Sequence, residues 1–280
     1  MSIFKDKQYL RVKVDRSSDE SLWMKCKACG ELVFKRRVRE NNNICPSCGE
    51  YFFLTVEERI GMLVDPDSFD NLSKSIESAD PLEFADRKTY RDRLEQAQAE
   101  TGIPDAIVVG RAVIEGNPVI LGVMDFRFIG GSMGSVMGEQ ICHGMEASLE
   151  ERMPFLLVSS SGGARLQEGV FALMQMAKTA AVRAKLATAG IPFISIMTYP
   201  TSGGVQASIA SLGDIIVAER GAMIGFAGRR VIQSTIAQEL PPDYQTDEFA
   251  FQHGAIDRVV KREQLRDELA ALLRLFRRDE

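Results

Sequence analysis

The chain has 280 residues, with 34 Lys+Arg against 39 Asp+Glu for a formal net charge of -5, and is 45% hydrophobic and 26% charged. That composition excludes disorder, a collagen repeat and a disulfide scaffold, and no window approaches the roughly 20 apolar residues of a membrane span. With only 2 His, a mechanism built on several imidazoles is excluded as well. Chemistry then falls to carboxylates, backbone groups, a metal or a partner's atoms.

The opening segment MSIFKDKQYLRVKVDR lacks the apolar h-region of a signal peptide, so a cytoplasmic location is expected. Residues 1–22 read as an N-terminal extension, 23–50 as a small module and 51–280 as the main domain. The split follows charge and cysteine. Residues 1–50 hold 11 Lys+Arg against 7 Asp+Glu, leaving 23 against 32 in the remainder, and four of the five cysteines lie in the basic part. Cys26-Lys-Ala-Cys29 and Cys45-Pro-Ser-Cys48 are C-x2-C knuckles, each followed by glycine. Two such knuckles offer four thiolates to one tetrahedral Zn at about 2.3 Å, which leaves no open position, so a structural zinc ribbon is expected and catalysis there is not. Between the knuckles, Lys35, Arg36, Arg37 and Arg39 form a basic strip that suits either a phosphate-bearing ligand or plain solvation.

In the main domain, helices are predicted over 55–63 and 86–100. Then follow strand 118–126, helix 137–153, strand 154–159, helix 166–189, strand 191–197 and helix 204–212. Strands 214–218 and 222–226, helix 230–240, strand 255–260 and an amphipathic helix 262–276 complete the order. Short apolar strands alternating with longer helices predict an α/β domain with parallel pairing and right-handed crossovers.

Three times a strand passes into a helix on paired glycines: Gly130-Gly131-Ser132, Ser161-Gly162-Gly163 and Ser202-Gly203-Gly204. Unpartnered N–H groups at the start of a helix attract anions, and glycine lets a ligand approach the main chain. Neither G-x-G-x-x-G nor a P-loop string occurs. Two uses remain, a tight turn required by packing and an oxyanion hole holding a thioester oxygen on enolisation.

The strings FIGGSMGS (128–135), SSGGARLQEG (160–169), LMQMAK (173–178), PTSGGV (200–205) and GFAG (225–228), downstream of a four-cysteine ribbon, closely resemble the carboxyltransferase beta subunits of bacterial acetyl-CoA carboxylases. The resemblance runs in order from about Trp23 to Val260. It implies a crotonase-like (ClpP/crotonase) α/β fold of ββα units behind the ribbon. It also implies a separate alpha subunit in an alpha2beta2 assembly, with the active site between the two. The reaction implied moves a carboxyl group from carboxybiotin, held on the biotin carboxyl carrier protein and charged by biotin carboxylase, to acetyl-CoA. The product is malonyl-CoA for fatty-acid synthesis.

Carried over by position, the amides of Gly162 and Gly163 would hold the acetyl thioester oxygen, and those of Gly203 and Gly204 would shape the adjoining pocket. Gly130, Gly131, Arg165 and Gly228 would contact substrate, with Arg165 also organising its loop. No protein base is required, because the family is thought to use the biotin nitrogen. Structural roles are expected for His143 and His253, an inert core position for Cys142, and cap or ion-pair roles for Glu168 and Asp214. Phe171, Leu173, Met174 and Met176 read as core or subunit interface. Tyr199, Gln206 and Arg229 depart from the family pattern beside the pocket. They leave open a specialised paralogue that is inhibitor-resistant or uses another acyl-CoA. A biotin-independent crotonase-type enzyme also stays open, as does nucleic-acid binding by the ribbon as a side activity.

Overall fold

The structure is a computed structural model that describes residues 22–236 and 239–276. The extension assigned to 1–22 thus lies outside the described residues, Leu22 excepted. The chain divides into two compact units, residues 1–52 and 53–280.

In the first unit, β1 (Trp23–Lys25) and β2 (Leu32–Phe34) pair antiparallel and α1 (Lys35–Glu40) follows at once. The basic strip is therefore a short helix, with Val38 turned into the core. Both knuckles close alike: Gly30 N–H donates to Cys26 O at 3.0 Å and Gly49 N–H to Cys45 O at 2.9 Å. The buried core consists of Cys26, Val33, Val38 and Cys45, with Met24 and Phe52 packed on it. So few side chains do not offset the conformational entropy of the segment, and a metal cross-link supplies the difference.

The second unit opens with α2 (Val56–Leu63), started by a reciprocal capping box between Thr55 and Glu58. β3 (Asp70–Asn71) and α3 (Tyr90–Thr101) follow. The latter begins four residues later than expected because Thr89 takes the cap, accepting from Asp92 N–H at 3.1 Å, while Asp86 turns to Lys88 N–H and Arg93. Next come β4 (Ile107–Ile114), β5 (Asn117–Met124), α4 (Ser135–Glu151), β6 (Phe155–Ser161), α5 (Val170–Ala189) and β7 (Phe193–Ser202). The chain continues through α6 (Gly203–Gln206), β8 (Ile215–Glu219), β9 (Ile224–Gly225), α7 (Arg229–Ile236), α8 (Asp247–Gln252), β10 (Arg258–Val260) and α9 (Leu265–Phe276).

The sheet runs β10-β8-β7-β6-β5-β4-β3, with β9 paired to the end of β7. From β10 to β5 neighbours are parallel, whereas β4 and β3 are antiparallel. The central strands are buried along both faces, as in Phe155–Val158 and Phe193–Met197, which is why they read as nearly continuous apolar runs, interrupted in the second only by the buried Ser195. Three expectations need correction. β4 is absent from the elements predicted above, although with β5 and α4 it makes the first ββα unit. The helix expected over 166–189 breaks at Gly169 (φ 52°, ψ -124°) into a 3-10 turn, Leu166–Glu168, and α5. The helix expected over 204–212 divides into α6 and a 3-10 turn, Ile209–Leu212, at Ser208 (φ -133°, ψ -111°). In the helix expected over 230–240, positions 237 and 238 lie outside the described residues.

Candidate active site

The glycine turns stand beyond the C-terminal ends of adjacent parallel strands, where ligands of open α/β sheets bind, and main-chain bonds lock them together. Gly162 N–H donates to Gly130 O at 2.8 Å, Met133 N–H to Gly163 O at 2.8 Å, and Arg165 N–H to Met133 O at 3.0 Å. Ser202 Oγ reaches Ser161 O at 3.2 Å. Gly203 N–H donates to Phe226 O at 3.0 Å, which draws in the loop carrying Gly228. Gly130, Gly131, Gly162, Gly163, Gly203 and Gly204 are thereby gathered at one place.

Their amides are less free than expected. Gly162 N–H is taken by Gly130 O, Gly203 N–H by Phe226 O, and Gly163 N–H by Ser161 Oγ at 3.0 Å. Gly131 N–H is taken by Phe128 O at 2.9 Å. Gly204 differs: it sits in the first turn of α6, and its N–H has no intrachain acceptor among the described residues. Three of these glycines are demanded by contact alone: a Cβ on Gly131 would stand 2.0 Å from Ser160 O. A Cβ on Gly163 would stand 3.0 Å from Gly203 Cα, and one on Gly203 would stand 2.9 Å from Gly162 O and Gly163 Cα. The pairing of glycines thus has a packing cause beside any chemical one.

Arg165 is placed differently from the expectation that it touches substrate. Its side chain is 0% exposed and its guanidinium is spent inside: on Asp105 Oδ2 and Oδ1 at 2.7 and 2.8 Å, Ser132 O at 2.7 Å and the Tyr90 hydroxyl at 3.0 Å. Burial opposes the charge, but Asp105 outweighs it and holds the guanidinium above its ordinary pKa. Glu168, 1% exposed, accepts from the Tyr90 hydroxyl at 2.6 Å, Ser78 Oγ at 2.9 Å and Ser135 N–H at 2.6 Å, so it caps α4. Asp214 accepts from Phe193 N–H at 2.8 Å and pairs with Arg183. Both carboxylates hold the cap and ion-pair positions expected of them. Tyr90, Ser78 and Asp105 are not among the residues expected from sequence, since no motif marks them and the fold alone brings them to Arg165 and Glu168.

Cys142 is buried, and desolvation pushes its thiol up to about 11, which leaves it inert. His253 ends α8, its Nδ1 2.8 Å from Phe249 O and its ring stacked on Phe249. Tyr199 is half exposed and joins Phe53 and Phe126 in an aromatic group with centroid separations of 6.0 and 5.4 Å. Gln206 reaches Ser211 Oγ at 3.4 Å. Leu166, Val170, Phe171, Leu173 and Met174 form an exposed apolar face, Leu166 being 76% exposed, while Met176 packs on the core. The LMQMAK stretch therefore faces both ways.

In the ribbon, the Sγ atoms of Cys26, Cys29, Cys45 and Cys48 all lie within 4.8 Å of one another, with Cys26–Cys48 at 3.8 Å and Cys29–Cys45 at 4.0 Å. Tetrahedral thiolates at about 2.3 Å from one ion stand about 3.8 Å apart, so the donor set fits zinc. Trp23, Phe34 and Arg37 help line a groove of about 500 Å³ beside it.

Residues 53–272 match the carboxyl transferase domain model, and residues 23–48 match the acetyl-CoA carboxylase zinc finger domain model. The acetyl-coenzyme A carboxylase carboxyl transferase subunit beta of Citrifermentans bemidjiense is 48% identical over 268 residues, covering 96% of this chain and 94% of that protein. The chain belongs to the carboxyl transferase beta-subunit family of acetyl-CoA carboxylases. The family's counterpart in Desulforamulus reducens is 45% identical, covering 98% of each chain. Among solved structures, transcarboxylase 12S with methylmalonyl-coenzyme A and methylmalonic acid bound has a TM-score of 0.67 at 28% identity, covering 85% of this chain and 43% of that one. The Pseudomonas malonate decarboxylase MdcD-MdcE heterodimer shares the fold, at TM-score 0.62 and 23% identity over 79% of this chain and 86% of that one. The resemblance, the crotonase-like α/β class and the zinc ribbon all stand as expected.

Proposed function

We propose that the chain is the beta half of a carboxyltransferase that, with an alpha subunit, moves a carboxyl group from carboxybiotin to acetyl-CoA and yields malonyl-CoA. The observation that carries this is the convergence of paired-glycine turns at parallel strand ends within a carboxyl transferase domain. No histidine takes part in the described turns, which suits a reaction whose base comes with the biotin. Carboxybiotin supplies the carboxyl group and the proton acceptor. This chain's residues supply the rest. The Gly204 N–H, without an intrachain acceptor among the described residues in the first turn of α6, would meet the oxygen that gains charge. Gly162, Gly163 and Gly203 keep the main chain thin enough for close approach, and Gly130, Gly131 and Gly228 border the pocket. Gly162 and Gly163 become oxyanion donors only by exchanging Gly130 O and Ser161 Oγ for the ligand.

The exposed apolar face of Leu166, Val170, Phe171, Leu173 and Met174 follows the SGGAR loop directly, and we assign it to the alpha subunit in an alpha2beta2 assembly. The biotin carboxyl carrier protein and biotin carboxylase complete the set. Among the described residues no helix is long and apolar enough to cross a membrane, in keeping with a cytoplasmic enzyme. A biotin-independent enzyme would need a free carboxylate in the pocket, but Glu168 is committed to capping α4 and Asp214 sits against Phe193 at the opposite, N-terminal end of β7. Tyr199 in its exposed aromatic group keeps the question of acyl-CoA choice specific to one side chain. Tyr199→Asp tests it: substrate and inhibitor profiles equal to the parent's would end the paralogue idea. For the main reading, the purified chain is mixed with a cognate alpha subunit, carboxybiotin and acetyl-CoA. Malonyl-CoA is expected in the mixture, and its absence there would overturn the proposal.

A further inference from the structure

We infer that Tyr90 is a positioning residue for this site, its hydroxyl holding the Gly130–Ser135 and Gly162–Gly169 loops in one geometry through Glu168 and Arg165. The inference rests on the carboxyl-transfer reading above and adds to it a residue that none of the glycine motifs contains. Tyr90 begins α3 and is fully buried, 75 and 78 positions from the two side chains it joins. One phenolic oxygen has one proton and two lone pairs. It donates to Glu168 Oε1 at 2.6 Å and accepts from Arg165 Nη1 at 3.0 Å. Each partner then reaches into the other loop. Arg165 donates to Ser132 O at 2.7 Å, and Glu168 Oε2 accepts Ser135 N–H at 2.6 Å. The contact is close enough that a Cβ on Gly134 would stand 2.4 Å from Glu168 Oε1, so glycine is required there for the carboxylate to reach the helix end. The same carboxylate fills the N-terminus of α4, which removes that helix end as an anion site for a ligand.

The groups facing Glu168 are Arg165 on its own loop at 3.7 Å, Tyr90 on α3, Ser78 before it and Ser135 on α4, with Asp105 on the far side of Arg165. Burial opposes ionisation of Glu168, but the Tyr90 hydroxyl, the Ser135 amide and Arg165 outweigh it and hold the carboxyl below its ordinary value. Burial also pushes the Tyr90 phenol well above its ordinary range, so it remains a donor at every working pH. Tyr90→Phe deletes a donor to Glu168 and an acceptor for Arg165 in a site where neither reaches water.

The test uses the full chain with its alpha subunit. Tyr90→Phe is expected to lower kcat about tenfold with KM for acetyl-CoA held within about twofold, the pattern of a misplaced rather than unbound substrate. It is also expected to add an acid limb to the pH–rate profile as Glu168 becomes easier to protonate, and that limb should vanish in Tyr90→Phe/Glu168→Gln. Should Tyr90→Phe not fold, Ser78→Ala removes another donor to Glu168 and is expected to show a shallower limb. A kcat and pH profile equal to the parent's would overturn the inference. Hydrogen exchange in the chain alone separates it from the carboxyl-transfer reading. Faster exchange confined to 130–135 and 162–169 in Tyr90→Phe supports the clamp, and unchanged exchange there overturns it, whether or not the parent makes malonyl-CoA.

Discussion

A methyl group on Gly163 has nowhere to go. The residue sits at φ 118°, and a Cβ would stand 3.0 Å from both Gly203 Cα and Gly204 N. Gly163→Ala is therefore expected to cost about 1–3 kcal/mol of stability through backbone strain, and to lose most activity because it displaces the Gly204 amide. A thermal melt and a rate measurement on the same preparation check both. Gly228 is the opposite case, with nothing within 4 Å of a Cβ and no positive φ. Gly228→Ala is expected to melt with the parent yet raise KM for acetyl-CoA, since only a ligand needs that space. An unchanged KM would remove Gly228 from the pocket. Sequence makes the glycine pairs conspicuous because they imply that something approaches the backbone closely. It does not say what approaches, and in this fold much of what approaches is another glycine turn. Arg165 shows the same limit: the motif marks it as important, while its complete burial depends on Asp105 and Tyr90, which lie far away in the chain.

Elements carry the next set of consequences. Glu219 on β8 joins Arg59 on α2 to Arg262 before α9, with Arg262 at 3.0 and 2.9 Å, all three nearly fully buried. Burial opposes its ionisation, yet Arg59 and Arg262 hold the carboxyl down at about 2. A depressed carboxylate stabilises fully above its unfolded pKa of about 4.3 and loses that contribution as pH falls toward the folded value. Urea midpoints of the parent should therefore decline between pH 4.5 and 2. Glu219→Gln, which removes the carboxylate that Arg59 and Arg262 share, should be weaker by about 3–5 kcal/mol at pH 7 and lack that slope. On α5, Phe171→Asp with Met174→Asp should abolish association with the alpha subunit in gel filtration while leaving the melt within about 0.5 kcal/mol of the parent, as exposed positions allow. The parallel strands and long helices were legible because burial on both faces and helical periodicity write themselves into sequence. β4 was not. Its link to β5 is the two-residue turn Glu115–Gly116, with φ 46° and 75°, and a glutamate stands where the usual Asn or Asp signal would announce a hairpin. The break at Gly169 was hidden for a related reason: the residues around it suit a helix, and Glu168 leaves it to reach Ser135.

At the scale of the whole molecule, the net charge of -5 combines a basic ribbon and an acidic body. Each is held by different means. The ribbon depends on one metal, so one Zn per chain is expected, with chelation or Cys26→Ser unfolding residues 23–50; full stability after chelation would contradict a structural ribbon. The body depends on the mixed sheet and its buried ion pairs. It presents its glycine turns beside an uncovered apolar face, which is the form expected of half an active site. Titrating alpha subunit into a fixed amount of this chain, with carboxybiotin and acetyl-CoA in excess, tests that claim most directly. The account predicts no malonyl-CoA at zero alpha subunit and a rate that rises to a plateau at one alpha per chain. Malonyl-CoA formed by the chain alone, or a rate that stays at zero throughout the titration, would contradict it.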